Sequence, residues 1–575
     1  MGYMPCMESD LDILKPDRQC VENLTAVLQC HPILSALLVN RDIVDHRSAI
    51  DFLQPSLGNL RDPHNLCDIA AAVSRICQAI ENNEKILVFG DYDVDGVTAT
   101  CLLTEFLEEV GAMVSYYIPH RLQEGYSLNP GHVQNGTVAS DTGLIITVDC
   151  GVSSRQAVAA AAEAGIDVIV TDHHAVTEPL PSAVAVVNPN RPDCPSGLGG
   201  LSGVGVVFYL IIALRKELRD RQHFASHPEP NLKKRCDLVA LGTVADMVPL
   251  VGENRVLTSV GLEIINSGVR PGISRLIAVS HIQGGHIDSE DIAYRLAPRL
   301  NAAGRLNHAS DAVELLRAGD NAAAARLAET LDRLNTRRRE IEQDTCRSIT
   351  DMLTRSPDLA DRPAIVLADE TWHPGIIGIA AARLARQYHR PVFLISLSGD
   401  IGKGSGRGIP GVDIIGCLNA CAPVLERYGG HPMAAGITVT NRNIRKFREL
   451  FEAAVQKQTA RGVPPERLRV DCELRLSQIQ PGLMELLARL APFGKGNPEP
   501  FFLARNVAVT HSKTVGRHHT RLTLSQPADT PHKTVNAIYF NTTQVPEKAR
   551  LVVFALRWNH WRGKKVIQAV IQSMV

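Results

Sequence analysis

The chain has 575 residues, 45% hydrophobic and 21% charged, with a formal net charge of −1; that length exceeds what one core fills and predicts three or four domains. Thirteen cysteines without a Cys-x-x-Cys pair exclude a zinc ribbon and a disulfide framework. No apolar run reaches spanning length and the N-terminus lacks a signal-peptide pattern, so a cytoplasmic protein that avoids membranes is expected.

Residues 1–80 read as short amphipathic helices feeding a first strand. Strands are predicted at "KILVF" (85–89), "MVSYYI" (113–118), "GLIITV" (143–148), "DVIVT" (167–171) and "AVAVV" (183–187), with helices such as "TATCLLTEFLEEV" and "SRQAVAAAAEAG" between them. That alternation predicts an α/β fold with a parallel sheet. "VVFYLIIALRKELRDR" (206–221) is another helix. "CDLVALGTVADMVPL" (236–250) returns to an apolar segment, read as a strand that ends at Asp246. Residues 310–356 predict one long connecting helix, or two in tandem.

A second, smaller α/β unit follows: "AIVLA" and "PVFLIS" as strands, "IIGIAAARLARQY" as a helix, then the glycine-rich "GKGSGRG" read as a loop, and "RYGGHPMAAGITV". From about residue 466 the pattern becomes short alternating strands, five or so in about a hundred residues, which suits a small OB-like barrel. The predicted division is 1–80, packing on a domain at 81–308; connecting helices at 309–360; an α/β domain at 361–462; and an all-β domain at 463–575. Residues 501–575 hold 11 Lys and Arg against Asp529 and Glu547 alone. That excess suggests a polyanionic partner for the C-terminus.

"DYDVDG" (91–96) packs Asp91, Asp93 and Asp95 into five positions. It begins like an EF-hand loop, but Leu102 stands where the bidentate Glu is required, and the triplet follows a strand instead of a helix. Asp149, Asp172, His173, His174 and Asp246 also fall at the ends of predicted strands, the edge that lines the ligand crevice of an open parallel sheet. A single Asp after a strand is ordinarily a helix cap; four segments with the same placement argue for convergence. Carboxylates and imidazoles without thiolate suit Mn²⁺ or Mg²⁺, and so many ligands imply two ions.

"DYDVDG", "VDCG", "TDHH" and "GTVADMVPL", in that order, resemble the four motifs of the DHH phosphoesterase superfamily. "RLAPRLNAAGRL" (295–306), "WHPGIIGIAAARL" (372–384) and "GGHPMAAG" (429–436) narrow this to its single-stranded-DNA exonuclease branch, whose second domain is called DHHA1. The resemblance covers nearly the whole chain. It implies a parallel-sheet DHH domain and a smaller DHHA1 domain joined by a long helix, with an OB-like C-terminal domain. It further implies 5′ to 3′ hydrolysis of single-stranded DNA to mononucleotides, in repair and recombination, by a monomer working with a helicase and a single-strand-binding protein.

Asp93, Asp95, Asp149, His173 and Asp246 match the family's metal ligands, with Asp149 as the bridging group. Asp91 is a further ligand candidate and His174 a further catalytic one; Asp172 is suited to orienting them. Many small-substrate members have a histidine where Phe89 stands, so one ion is expected to be held more weakly or by water. For the substrate the candidates are Arg121, Arg299, Asn301 and Arg305, then Lys403, Ser405, Arg407 and His431. Trp558 and Trp561 are candidates for stacking bases, with a core role open for either. Two other readings are a small-substrate phosphoesterase, disfavoured by the basic β domain, and a silent DNA-binding scaffold, disfavoured by the filled ligand positions.

Overall fold

The computed structural model describes residues 10–575 apart from 177, 283–284, 461, 463–466, 517, 528–532 and 562–563. Near the N-terminus come β1 (Leu11–Ile13) and three helices, Arg18–Leu28, Pro32–Val39 and His46–Leu53. The sequence reading packs this segment on the parallel-sheet domain, whereas these helices share a core with the C-terminal barrel. Leu24, Leu37, Leu38 and Leu53 lie among Leu487, Phe502 and Phe554, and β1 pairs with a strand at residues 468–470. An amphipathic pattern says that a face is buried, not what covers it. Leu57, Leu60, Leu66 and the helix Ile69–Glu81 pack where the segment as a whole is expected, on the parallel-sheet body.

The parallel sheet comprises β2 (Lys85–Phe89), β3 (Met113–Tyr117), β4 (Thr142–Val148), β5 (Asp167–Thr171) and β6 (Ala185–Val187), in the order β3-β2-β4-β5-β6. β3 lies on one side of β2 and β4 on the other, so the winding reverses beyond the C-terminal ends of β2 and β4. Such a switch point opens a crevice there. Helices Val94–Glu109 and Gly203–Asp220 cover one face, and Arg155–Glu163 the other.

Residues 236–245 form a helix, Cys236–Ala245, instead of the predicted strand. Nine of its ten residues are buried, between the Val94–Glu109, Gly203–Asp220 and Gly252–Ser267 helices. A helix buried all round has no polar face, so periodicity could not distinguish it from a core strand. Asp246 is therefore a helix C-cap, not a strand end.

Two helices connect the α/β units, Ser310–Arg317 and the 35-residue Asn321–Arg355, which spans about 50 Å. The second sheet holds β7 (Ile365–Asp369), β8 (Val392–Ser398), β9 (Ile401–Arg407), β10 (Arg427–His431) and β11 (Ala434–Thr440), in the order β10-β11-β9-β8-β7. "GKGSGRG", a loop by glycine content but similar to the DHHA1 phosphate-binding strand, is thus mostly strand β9. Its glycines alternate: a Cβ at Gly402, Gly404 or Gly406 would lie 2.2–2.6 Å from Ile395, Ile437 or Phe393. The apolar layer is too close for side chains there, so Lys403, Ser405 and Arg407 occupy the opposite face.

The last unit contains β12 (Leu468–Val470), β13 (Cys472–Glu473), β14 (Phe502–Val515), β15 (His519–Ser525), β16 (Thr534–Tyr539), β17 (Lys548–Trp561) and β18 (Lys564–Met574). β13 to β18 form one sheet, and pairing of β14 with β17 closes it into a barrel. The predicted strands omit β18, although "VIQAVIQSM" alternates as a strand should. Among the described residues no helix is long and apolar enough to cross a membrane.

Candidate metal centre and phosphate-binding groups

The loop after β2 is fixed by its own backbone. Asp93 caps the Val94–Glu109 helix, and its Oδ1 accepts hydrogen bonds from Asp95 N (3.0 Å) and Gly96 N (3.2 Å). Gly96 is required because a Cβ there would lie 2.6 Å from the Asp91 backbone. Asp95 points across to the start of the Gly203–Asp220 helix, accepting from Gly203 N (2.6 Å) and Val204 N (2.9 Å). A helix N-terminus holds a carboxylate by its free N–H groups and its dipole.

Asp149 ends β4 in the left-handed region, with φ +60°. For a residue with a Cβ that costs about 1–2 kcal/mol, a strain kept here at a candidate metal-binding position. Gly203 lets the neighbouring helix approach, since a Cβ would lie 2.3 Å from Asp149 Oδ1. After β5, Asp172 accepts from Val152 N, His173 N, His174 N and His174 Nδ1 at 2.7–3.0 Å. It is fully occupied in shaping the turn.

His173 Nδ1 donates to Leu201 O at 3.0 Å, which fixes the tautomer and leaves a lone pair on Nε2. That lone pair lies 3.2 Å from Asp149 Oδ1, 3.7 Å from Asp246 Oδ2 and 3.9 Å from Asp95 Oδ2. Ligand atoms converge in three groups, each within 4.8 Å: Asp91, Asp93 and Asp149; Asp95, His173 and Asp246; and Asp149, His173 and His174. Asp149 belongs to the first and third groups, and its Oδ1 lies 3.2 Å from His173 Nε2 of the second. Among the described residues no hydrogen bond satisfies Asp91 Oδ1, Asp149 Oδ1 or His173 Nε2, all buried acceptors.

Electrostatics make the same point. Burial, then mutual repulsion, raises the Asp91, Asp95 and Asp149 carboxyls well above their ordinary range. Burial, then Asp93, pushes Asp246 up to about 7. Burial and the charge on His174 push His173 down to about 4, keeping it a neutral ligand. Burial opposes the charge on His174, but its hydrogen bond to Asp172 prevails and raises it to about 9. Acceptors gathered face to face with no donor between them fit divalent cations, and two groups joined by one carboxylate fit a pair.

Phe89 is fully buried at the end of β2, its ring against Tyr117 and His132. It packs the sheet and leaves that corner of the site to Asp91 and Asp93.

Beside the acids lies a cluster of guanidiniums. Arg121 sits 4.7 Å over the Tyr92 ring. Arg305 donates to Gly375 O at 3.1 Å, and Arg407 to Ser405 Oγ at 3.3 Å. Burial, then Arg121, Arg338 and Arg407, pushes Arg305 down to about 9. Arg121, Arg305 and Arg407 repel one another, and Arg338, paired with Glu342 at 3.2 Å, adds to the field at Arg305; cations gathered this way beside a crevice are suited to an anion. Two glycines bring the elements together: a Cβ on Gly304 would lie 2.5 Å from Tyr92 O, and one on Gly378 2.8 Å from Ser405 Oγ. Lys403 Nζ donates across to Leu122 O at 3.4 Å.

Other predicted residues fall elsewhere. Arg299 is buried in a structural clamp, donating to Asp332 (2.8 Å), Arg295 O (2.7 Å) and Val279 O (3.4 Å). Three of its five N–H donors are taken and the residue is buried, which makes it a structural group; the motif text alone could not say which of its arginines faces inward. Asn301 lies half-buried one turn before Arg305. His431 ends the exposed edge strand β10 and shares no hydrogen bond with the acidic cluster among the described residues. Trp558 packs against the barrel core with Lys565 Nζ 4.3 Å from its ring, while the side chain of Trp561 lies outside the described residues.

The structure adds residues the sequence reading missed. Arg338 comes from the long helix, where heptad-like text hides it. Tyr126, 45% exposed, hydrogen-bonds toward Asp149 O (3.4 Å) and His174 Nδ1 (3.2 Å). "GLSGVG" at 200–205 supplies the N–H groups for Asp95; glycines opening a helix were the available signal.

Three family models match: the DHH family N-terminal domain at residues 85–243, the DHHA1 domain at 361–457 and the RecJ OB domain at 470–573. The chain is 38% identical over 537 residues to the single-stranded-DNA-specific exonuclease RecJ of Dickeya dadantii, covering 91% of this chain and 93% of that one. It is 34% identical over 572 residues to the Escherichia coli protein of the same description, covering 97% and 98%. Among solved structures, Thermus thermophilus RecJ in complex with Mn²⁺ matches with a TM-score of 0.83 at 30% identity, over 99% of this chain and 80% of that one. The Mg²⁺ complex matches with a TM-score of 0.76 at 28% identity, over 99% and 79%.

Proposed function

The chain belongs to the RecJ family of single-stranded-DNA-specific exonucleases, and from that premise we propose how its residues divide the work. It is a metal-dependent exonuclease of single-stranded DNA, using two divalent ions, Mn²⁺ or Mg²⁺, and it removes mononucleotides in the 5′ to 3′ direction. The observation that carries the residue assignment is the set of buried acceptors without donors, Asp91 Oδ1, Asp149 Oδ1 and His173 Nε2. Asp91, Asp93 and Asp149 would hold one ion, and Asp149, Asp95, His173 and Asp246 the other. When bound, the pair neutralises the scissile phosphate, lowers the pKa of the attacking water and stabilises the leaving oxygen.

The chain's own groups do the rest. Leu201 O and Asp172 hold the two histidines in orientation, and the start of the Gly203–Asp220 helix holds Asp95. His174 keeps its proton at neutral pH; Asp172 engages Nδ1, so Nε2–H is the donor available to a phosphate oxygen. Arg121, Arg305, Ser405 and Arg407, with Asn301 alongside, grip the terminal and scissile phosphates, and Arg338 adds to their field. The barrel retains the strand through its basic surface and Trp558. His431 and Trp561 stay on the proposed substrate path, as does a cytoplasmic monomer working with a helicase and a single-strand-binding protein in repair. Separate cores support a division near residues 81–308, 361–462 and 463–575.

The test is digestion of 5′- and 3′-labelled single strands and matching duplex with Mn²⁺, Mg²⁺ or a chelator. Single strands should be shortened from the 5′ end, with no cleavage in chelator. Duplex cut equally well, or turnover without metal, would overturn the reading.

A further inference from the structure

Between the barrel and the metal centre lies the turn "FGKGN" (493–497), which is built too tightly to be an ordinary surface loop. Gly494 and Asn497 exchange backbone hydrogen bonds at 2.9 and 3.1 Å. The Asn497 side chain is fully buried, donating to Leu490 O and Pro492 O and accepting from Arg41 Nε, each at 2.8 Å. The turn docks on the loop that follows Asp246, with Leu250 N donating to Lys495 O at 2.7 Å. A Cβ on Gly494 would lie 2.7 Å from Leu250, and one on Gly496, already at φ +75°, 3.1 Å from Pro249. Both glycines are needed for that contact.

The residue held at the apex is Lys495. It is exposed, and among the described residues no ion pair engages it. The adjoining loop is open to solvent as well, with Met247 67% and Val251 44% exposed. The charge of Lys495 reaches Asp246, where it opposes the upward push of burial. On the far side of the turn β14 begins, five residues after Asn497, and opens the basic barrel. A fixed, unpaired cation therefore stands at the rim between the acidic centre and the basic barrel. A polyanion crossing that rim meets repulsion from the acids, which such a cation offsets.

We propose that Lys495 binds a backbone phosphate of the DNA strand as it passes from the metal centre to the barrel, so that it sets affinity for long strands. This rests on the exonuclease reading above. A dinucleotide extends a single nucleotide beyond the scissile phosphate, whereas a 20-nucleotide strand is long enough to cross the rim. For Lys495→Ala, the ratio of kcat/KM on the 20-mer to that on the dinucleotide should fall about fivefold, through KM. The slope of log kcat/KM against log salt on the 20-mer should weaken by about 0.7, the value for one single-strand phosphate contact.

Lys495→Glu should fall further and Lys495→Arg should stay near wild type, with melting temperatures unchanged in all three. An unchanged length ratio would overturn the proposal. Equal loss on both substrates would also overturn it, placing the effect at Asp246. Wild-type protein that leaves single strands intact would sink the exonuclease reading together with this one, whereas active wild type with length-independent variants sinks this one alone.

Discussion

In the proposed site Asp149 concentrates the chemistry in one side chain. It is buried, strained at φ +60°, raised in pKa by burial and by four other carboxylates, and shares one ligand group with Asp91 and Asp93 and another with His173 and His174. Asp149→Ala removes the shared ligand while leaving the arginines and the barrel in place. Turnover should fall by about a thousandfold or more, with single-strand binding still measurable by fluorescence anisotropy. Near-normal turnover would remove Asp149 from the bridging position. Asp172, by contrast, reads from "TDHH" as a group suited to orienting ligands, without the partners it holds. Four hydrogen bonds make it the frame for two histidines, a distinction that depends on where its neighbours' N–H groups point.

At the scale of elements, close backbone approach decides what meets the metal centre. The helix Ala297–Leu306 carries Arg305 against the Asp91–Asp95 loop only because Gly304 lacks a Cβ. Gly304→Ala would press on Tyr92 O and displace the loop holding Asp93. We expect kcat to drop about tenfold or more, since shifts near 1 Å in a catalytic group carry such penalties. Unchanged kcat would show that the loop yields without consequence. β9 illustrates the same rule: "GKGSGRG" reads as a loop by glycine content, yet its period of two, set against Phe393, Ile395 and Ile437, makes it a strand.

At the scale of the molecule, the catalytic body and the barrel are joined by buried polar contacts. Arg255 stacks 3.7 Å over Phe52 and donates to Phe52 O, Leu490 O and Arg489 O at 2.9–3.1 Å. Burial, then Arg41, pushes it down to about 10. Arg255→Ala leaves three carbonyls without that donor, and should cost about 2–4 kcal/mol in chemical denaturation. Loss of under about 0.5 kcal/mol would mean that water replaces it. Arg557 adds a second tie, to Glu290 (2.8 Å) and Glu499 (2.7 Å).

The sequence by itself determined the outline of the three larger sheets, the order of the motifs and the residues proposed as metal ligands, because period-two and helical patterning and an Asp or His after a strand are local signals. What lay beyond it was set by packing. Asp246 caps a helix, Arg299 turns away to Asp332, and Arg338, paired with Glu342, lends its charge to the field at Arg305. The first three helices cover the barrel rather than the parallel sheet. Each of these depends on which face meets which neighbour, and a one-dimensional pattern marks that a face is buried without naming its partner.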